Sequence, residues 1–133
     1  MRKLYAILFA FLILAACQKK PDVRLKVLIG ATVVVAPGTQ PIADSIIVIA
    51  GSKIRSVGMR KDIPVPQASD RTDLAGEWVV PAEGSRIAVD EPANMMILKH
   101  APLGAEPANP ADVSARINAG EWELPKQLPA QSR

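Results

Sequence analysis

Residues 45–57 read Ser45-Ile46-Ile47-Val48-Ile49-Ala50-Gly51-Ser52-Lys53-Ile54-Arg55-Ser56-Val57. Ser45 to Ala50 is an apolar, β-branched run, whereas Lys53 to Val57 alternates polar with apolar residues, the period of a strand. Gly51-Ser52 separates them. A two-residue loop with glycine first suits a type II′ turn, whose twist matches that of paired strands, so the stretch is expected to fold back as a β-hairpin.

The same signals recur on either side. Arg24 to Val35 is rich in Val, Ile and Leu, and further strand candidates are Thr72 to Leu74, Glu77 to Val80 and Asn94 to Lys99. Val113 to Ile117 returns as Glu121 to Leu124 across Ala119-Gly120. Twelve prolines, most of them beyond residue 36, interrupt any helical pattern at short intervals. Only Pro110 to Ala115, with Asn109 as N-cap and Pro110 at the first helical position, has the start of a helix. The expectation is an all-β chain: one small β-sandwich of about six to eight strands over residues 24–126, then a flexible tail at 127–133.

The N-terminus has a different character. Met1-Arg2-Lys3 precedes thirteen apolar residues, Leu4 to Ala16, and then Cys17-Gln18-Lys19-Lys20. Positive, apolar and small-residue segments in that order mark a secretory signal, and a bilayer-spanning helix needs roughly 20 residues. Leu14-Ala15-Ala16-Cys17 resembles the lipobox of bacterial lipoproteins. That resemblance implies a signal-peptide helix over 1–16 ahead of the sandwich, cleavage after residue 16, acylation of Cys17 and membrane anchoring through a tether over 17–23. Gln18 in place of Asp leans, in such lipoproteins, towards the outer membrane and its periplasmic face where the organism has one. Cys17 is the only cysteine, so no disulfide forms within the chain and acylation consumes a thiol that would be exposed to oxidation.

Loss of the leader changes the charge. Taking Arg2 and Lys3 from 16 basic residues leaves 14 against 13 acidic ones, and a formal charge of +3 becomes +1. With two tryptophans, one tyrosine and two phenylalanines in the whole chain, neither charge nor aromatic stacking supports nucleic-acid binding.

Leu28 to Pro81 resembles the start of amidohydrolase-superfamily enzymes, among them dihydroorotase-like, hydantoinase-like and imidazolonepropionase-like proteins. The order of parts carries the match: Gly30-Ala31 after an apolar strand, Asp44 before another, Gly51-Ser52-Lys53-Ile54 turning into Val57-Gly58, and Asp73-Leu74-Ala75-Gly76-Glu77-Trp78-Val79-Val80-Pro81 after a proline-containing loop. Ile87 to Leu124 resembles the other end of the same enzymes, with Glu91-Pro92-Ala93-Asn94 before an apolar strand and Ile117-Asn118-Ala119-Gly120-Glu121-Trp122 as the closing hairpin. The resemblance implies a composite β-sandwich built from both ends of the family's chain. The family's catalytic (β/α)₈ barrel is inserted between those ends and takes roughly 250 residues. Here Pro81 is followed by Ala82-Glu83-Gly84-Ser85-Arg86, without the His-x-His metal pair that the family places after this proline.

Hydrolysis in that family uses a metal-generated hydroxide held by several His and Asp ligands, and this chain has one histidine. His100 reads as a strand-end surface residue. Asp90, Glu91 and Glu83 lie among turn residues and read as solvated. Ser45, Ser52, Ser56, Ser85 and Ser114 form no nucleophile elbow, and Gly30, Gly38, Gly51 and Gly58 are too dispersed for a phosphate loop. Trp78 and Trp122 either share an exposed patch or cover the edge and core of the sandwich. No catalytic, metal or cofactor residue is therefore expected, and Cys17 is the one functional residue. The expected role is a non-catalytic, membrane-anchored binding or structural module of the cell envelope, meeting a protein partner or a second copy through a sandwich face. The alternatives are an accessory subunit completing a separately encoded metal-dependent hydrolase, and a degenerate hydrolase remnant.

Overall fold

The computed structural model describes residues 23–102 and 110–124, so the leader 1–16, Cys17 and the tail 127–133 lie outside the described residues. The described chain forms β1 (Leu25–Ile29), β2 (Thr32–Val33), β3 (Ser45–Ala50), β4 (Lys53–Met59), β5 (Ser69–Asp73), β6 (Trp78–Pro81), β7 (Met95–Leu98), β8 (Val113–Asn118) and β9 (Glu121–Leu124). One sheet has the order β4-β3-β1-β5 and the other β2-β6-β7-β8-β9. Together they make the expected small sandwich.

Nine strands exceed the expected six to eight because the run from Arg24 to Val35 is split. Gly30 adopts φ 87°, and the chain leaves the first sheet there to enter the second as β2. The break is anchored: Gly30 N–H donates to Ser45 O (2.9 Å), while Ala31 O accepts from both the Ser45 N–H (2.9 Å) and its hydroxyl (2.7 Å). β5 and β6 change sheets beside it, with Leu74 N–H donating to Ile29 O (2.8 Å) and Thr32 N–H to Glu77 O (3.0 Å). Two chain segments turning the same corner together explain why β1–β5 and β2–β6 pair parallel while every other strand pair is antiparallel.

Helix is reduced further than expected. Pro110–Asp112 makes a single 3₁₀ turn because β8 begins at Val113; Asn109, the expected N-cap, lies outside the described residues.

Leu28, Ile47, Ile49 and Ile54 from the first sheet meet Val33, Val79, Met95, Ile97, Ala115 and Ile117 from the second, with Leu74 and Ile87 filling the ends. β3 is buried on both faces, which is why its sequence is continuously apolar rather than alternating. Its other face, Ile46 and Val48 with Val27 of β1, packs beneath Ile63 and Val65 of the β4–β5 connection. Gly58 admits that loop, since a Cβ there would stand 3.0 Å from Ile63 Cδ1. The outer face of the first sheet is thus covered by the chain itself.

The two hairpin turns lie at one end of the sandwich. Of Gly51 and Ser52 only Gly51 takes positive φ (63°), as a type II′ turn requires, whereas Ala119 (48°) and Gly120 (81°) both do, the signature of type I′. These turns touch. A Cβ on Gly120 would overlap the Gly51 carbonyl oxygen and lie 3.1 Å from Ser52 Cα. Ala93 is laced between them, its N–H donating to Ser52 O (2.8 Å) and its C=O accepting from Gly120 N–H (3.1 Å). Gly120→Ala adds both a clash and a left-handed non-glycine residue, so its urea midpoint should fall by an amount equivalent to about 3 kcal/mol or more. Gly38→Ala, at φ 78° with nothing within 4 Å, should lose only about 1 kcal/mol in the same titration.

Candidate functional site

After Pro81 the chain reverses where the resembled enzymes insert a barrel. Ala82 N–H donates to Asn94 O (3.1 Å), Ser85 N–H to Ala82 O (2.9 Å), and Gly84 supplies the positive φ (75°) of the turn. Ile87 N–H then donates to Val35 O (2.9 Å), and its side chain closes the core at 2% exposure. Asp90 is left-handed (φ 68°) and donates its N–H to Ile54 O (2.8 Å); Ile54 N–H returns a bond to Glu91 O (2.9 Å). The connection is therefore a short strap stitched to both sheets.

This strap borders an open depression of about 560 Å³, lined by Gly84, Ser85, Arg86, Glu91, Pro92 and Asn94. Its charges are spent on each other. Arg86 Nη2 and Nε donate to the same Glu91 oxygen at 2.8 and 3.1 Å. Asn94 Oδ1 accepts from Ala119 N–H (2.7 Å) and so holds the closing hairpin rather than facing an empty site. Glu83 and Asp90 are exposed, as expected, and Asp90–Glu91 is not a facing carboxylate pair.

The remaining candidates are scattered. His100 sits at the opposite end with Nδ1 3.5 Å from Asp112 Oδ1, both side chains open to water. Ser114 donates to Glu77 Oε1 (3.1 Å), and the Ser45 hydroxyl is closed on Ala31 O. None of these seryl hydroxyls is bonded to His100, so no nucleophile–base pair forms among them. Among the described residues no three of His, Cys, Asp and Glu come together. Trp122 packs against the inter-sheet core, while Trp78 alternates with core-facing Val79 and lies on the other face of its sheet, so the two make no shared patch.

One working residue was not singled out in the sequence. Lys26, between apolar neighbours in β1 and only 23% exposed, donates to Gly120 O (2.6 Å) and pairs with Glu121 (2.9 Å). Its only signal was a charge within an apolar strand, and the hairpin it meets is 94 residues away.

No protein-family model matches the chain, and no curated protein does. Among solved structures it is similar to molinate hydrolase, at 24% identity and TM-score 0.40 over 44% of this chain and 13% of that one. It is also similar to a candidate prolidase from Bifidobacterium longum, at 25% identity and TM-score 0.40 over 46% of this chain and 16% of that one. The chain thus spans a small fraction of the length of either.

If the polar groups here hold the fold rather than perform chemistry, truncations should rank by burial. Ser45→Ala should lower unfolding free energy by about 1–2 kcal/mol, because a buried hydrogen bond is lost. Arg86→Ala and Glu91→Ala, removing an exposed pair, should each stay within about 1 kcal/mol of the parent in chemical denaturation.

Proposed function

We propose that the chain is a lipid-anchored, non-catalytic β-sandwich module of the cell envelope, related to the composite sandwich of amidohydrolase-superfamily enzymes and held to the membrane by acylated Cys17. The observation that carries this reading is the strap from Ala82 to Asn94. Where the resembled enzymes open into a catalytic barrel, this chain closes over residues 82–94, plugs its core with Ile87 and ties both sheets together. A module complete without a barrel needs no separately encoded barrel to fold.

Its role is then to present a surface at the membrane, on the periplasmic side of the outer membrane in a cell that has one. The outer face of the second sheet carries half-buried Trp78 and Met96 beside their buried cross-strand partners Leu98 and Val80, and is the face assigned here to a protein partner or a second copy.

Metabolic labelling with an alkynyl fatty acid tests the anchor. The full chain should incorporate the label and fractionate with membranes, and Cys17→Ser should abolish both. Labelling retained in Cys17→Ser, or an unlabelled parent in the soluble fraction, would overturn it. Separately, the mature protein supplied with Zn²⁺ should leave amide and ester substrates intact at the rate of metal-containing buffer; metal-dependent turnover that vanishes on chelation would replace the module with an enzyme.

A further inference from the structure

The start of the described chain and the two hairpin turns lie at the same end of the sandwich. Val23, the first described residue, is 50% exposed and a Cβ on Gly51 would touch it at 3.8 Å. β1 starts there, Leu25 opposite Ala50, and runs away to Ile29 opposite Ile46. Val23 follows Cys17 by six peptide steps, a maximum covalent reach of about 20 Å. Turning the domain over would place the far end at the bilayer and run the tether back along β1, a length of about 17 Å. That would consume nearly the whole reach.

The surface of the near end suits headgroups. Val23 and Val89 are two of the three exposed large apolar side chains among the described residues; Met59, the third, is at the far end. Of the charged residues there, Arg24 pairs with Asp70, Lys26 with Glu121 and Arg86 with Glu91. Lys53 and Arg55 are exposed and make no ion pair among the described residues, and Glu83 and Asp90 of the strap are exposed acids at the same end, so the folded surface there is close to neutral. Lys19 and Lys20 add two more cations next to the anchor. Exposed apolar side chains on a near-neutral end, adjoining an acyl chain and the two tether lysines, match an anionic lipid surface.

We propose that the sandwich stands end-on against an anionic bilayer, with Val23, Lys53, Arg55 and Val89 at the headgroups and the end carrying His100 and Asp112 directed away. This rests on the lipid anchor at Cys17. It also places the strap, where a barrel would otherwise leave the domain, at the membrane, so protein contacts fall to the outer face of the second sheet and to the far end.

Lysine footprinting tests the orientation separately from the anchor. The mature chain from Cys17, coupled through its single thiol to maleimide-headgroup lipid in vesicles containing phosphatidylglycerol, is acetylated with a water-soluble reagent and compared with the same chain free in solution. Lys53 should react several-fold more slowly on vesicles while Lys61 and Lys99, at the far end, keep their solution rates. Equal rates for all three in both states, or slowing of Lys61 or Lys99 to match or exceed that of Lys53, would overturn the orientation. Because the coupling is chemical, the result stands whether or not cells acylate Cys17, which the mass of the N-terminal peptide from native membranes decides independently.

Discussion

Gly120 and Gly51 bring the turns of the two hairpins into backbone contact at one end of the sandwich. Each hairpin belongs to a different sheet, and their turns approach closely enough that only glycine fits at position 120. Ala93 supplies the hydrogen bonds that make the approach favourable, joining Ser52 O to Gly120 N–H through one peptide segment, and Lys26 adds a third link from β1. Backbone groups at hairpin tips are usually left to water. Here they satisfy one another, and the sheets are locked at this end by main-chain bonds whose partners are far apart in sequence.

The opposite end is held by a different device. There the β1–β2 and β5–β6 segments cross between sheets side by side, with Ser45 bonded to the corner at Ala31. Between these two closures lies an inter-sheet core of aliphatic side chains, and the β4–β5 loop adds a second, smaller core behind β3. β3 consequently has no solvent face, an arrangement more familiar in parallel sheets than in the antiparallel pairing it makes with β1 and β4.

Much of this was legible from residue order alone, because strand signals are local. The hairpin at 45–57 reads directly from a buried run, a glycine-first turn and an alternating return, and β3 begins and ends where its apolar residues do. What could not be read was non-local. Gly30 as the point where one apolar run changes sheets, and Lys26 as a link to Gly120, depend on partners that strand periodicity does not identify. Pro110 looked like a helix start by the usual capping rule, yet β8 follows at once because Val113 onward pairs with β7. The candidate site divides the same way. Isolation of His100 from any nucleophile was foreseeable from a single histidine, whereas the Arg86–Glu91 pair and the stitched strap emerged only from the folded chain.

The strap and the Gly120 contact close one end of the inter-sheet core. Native-state hydrogen exchange on the mature chain tests this most directly. The amides of Ile87, Ala93 and Gly120 should exchange only with global unfolding, at the same free energy as Ile47 and Ile97 in the two sheets. Exchange of Ile87, Ala93 and Gly120 through low-energy local opening, while Ile47 and Ile97 stay protected, would contradict it and show two sheets that await another domain to close them.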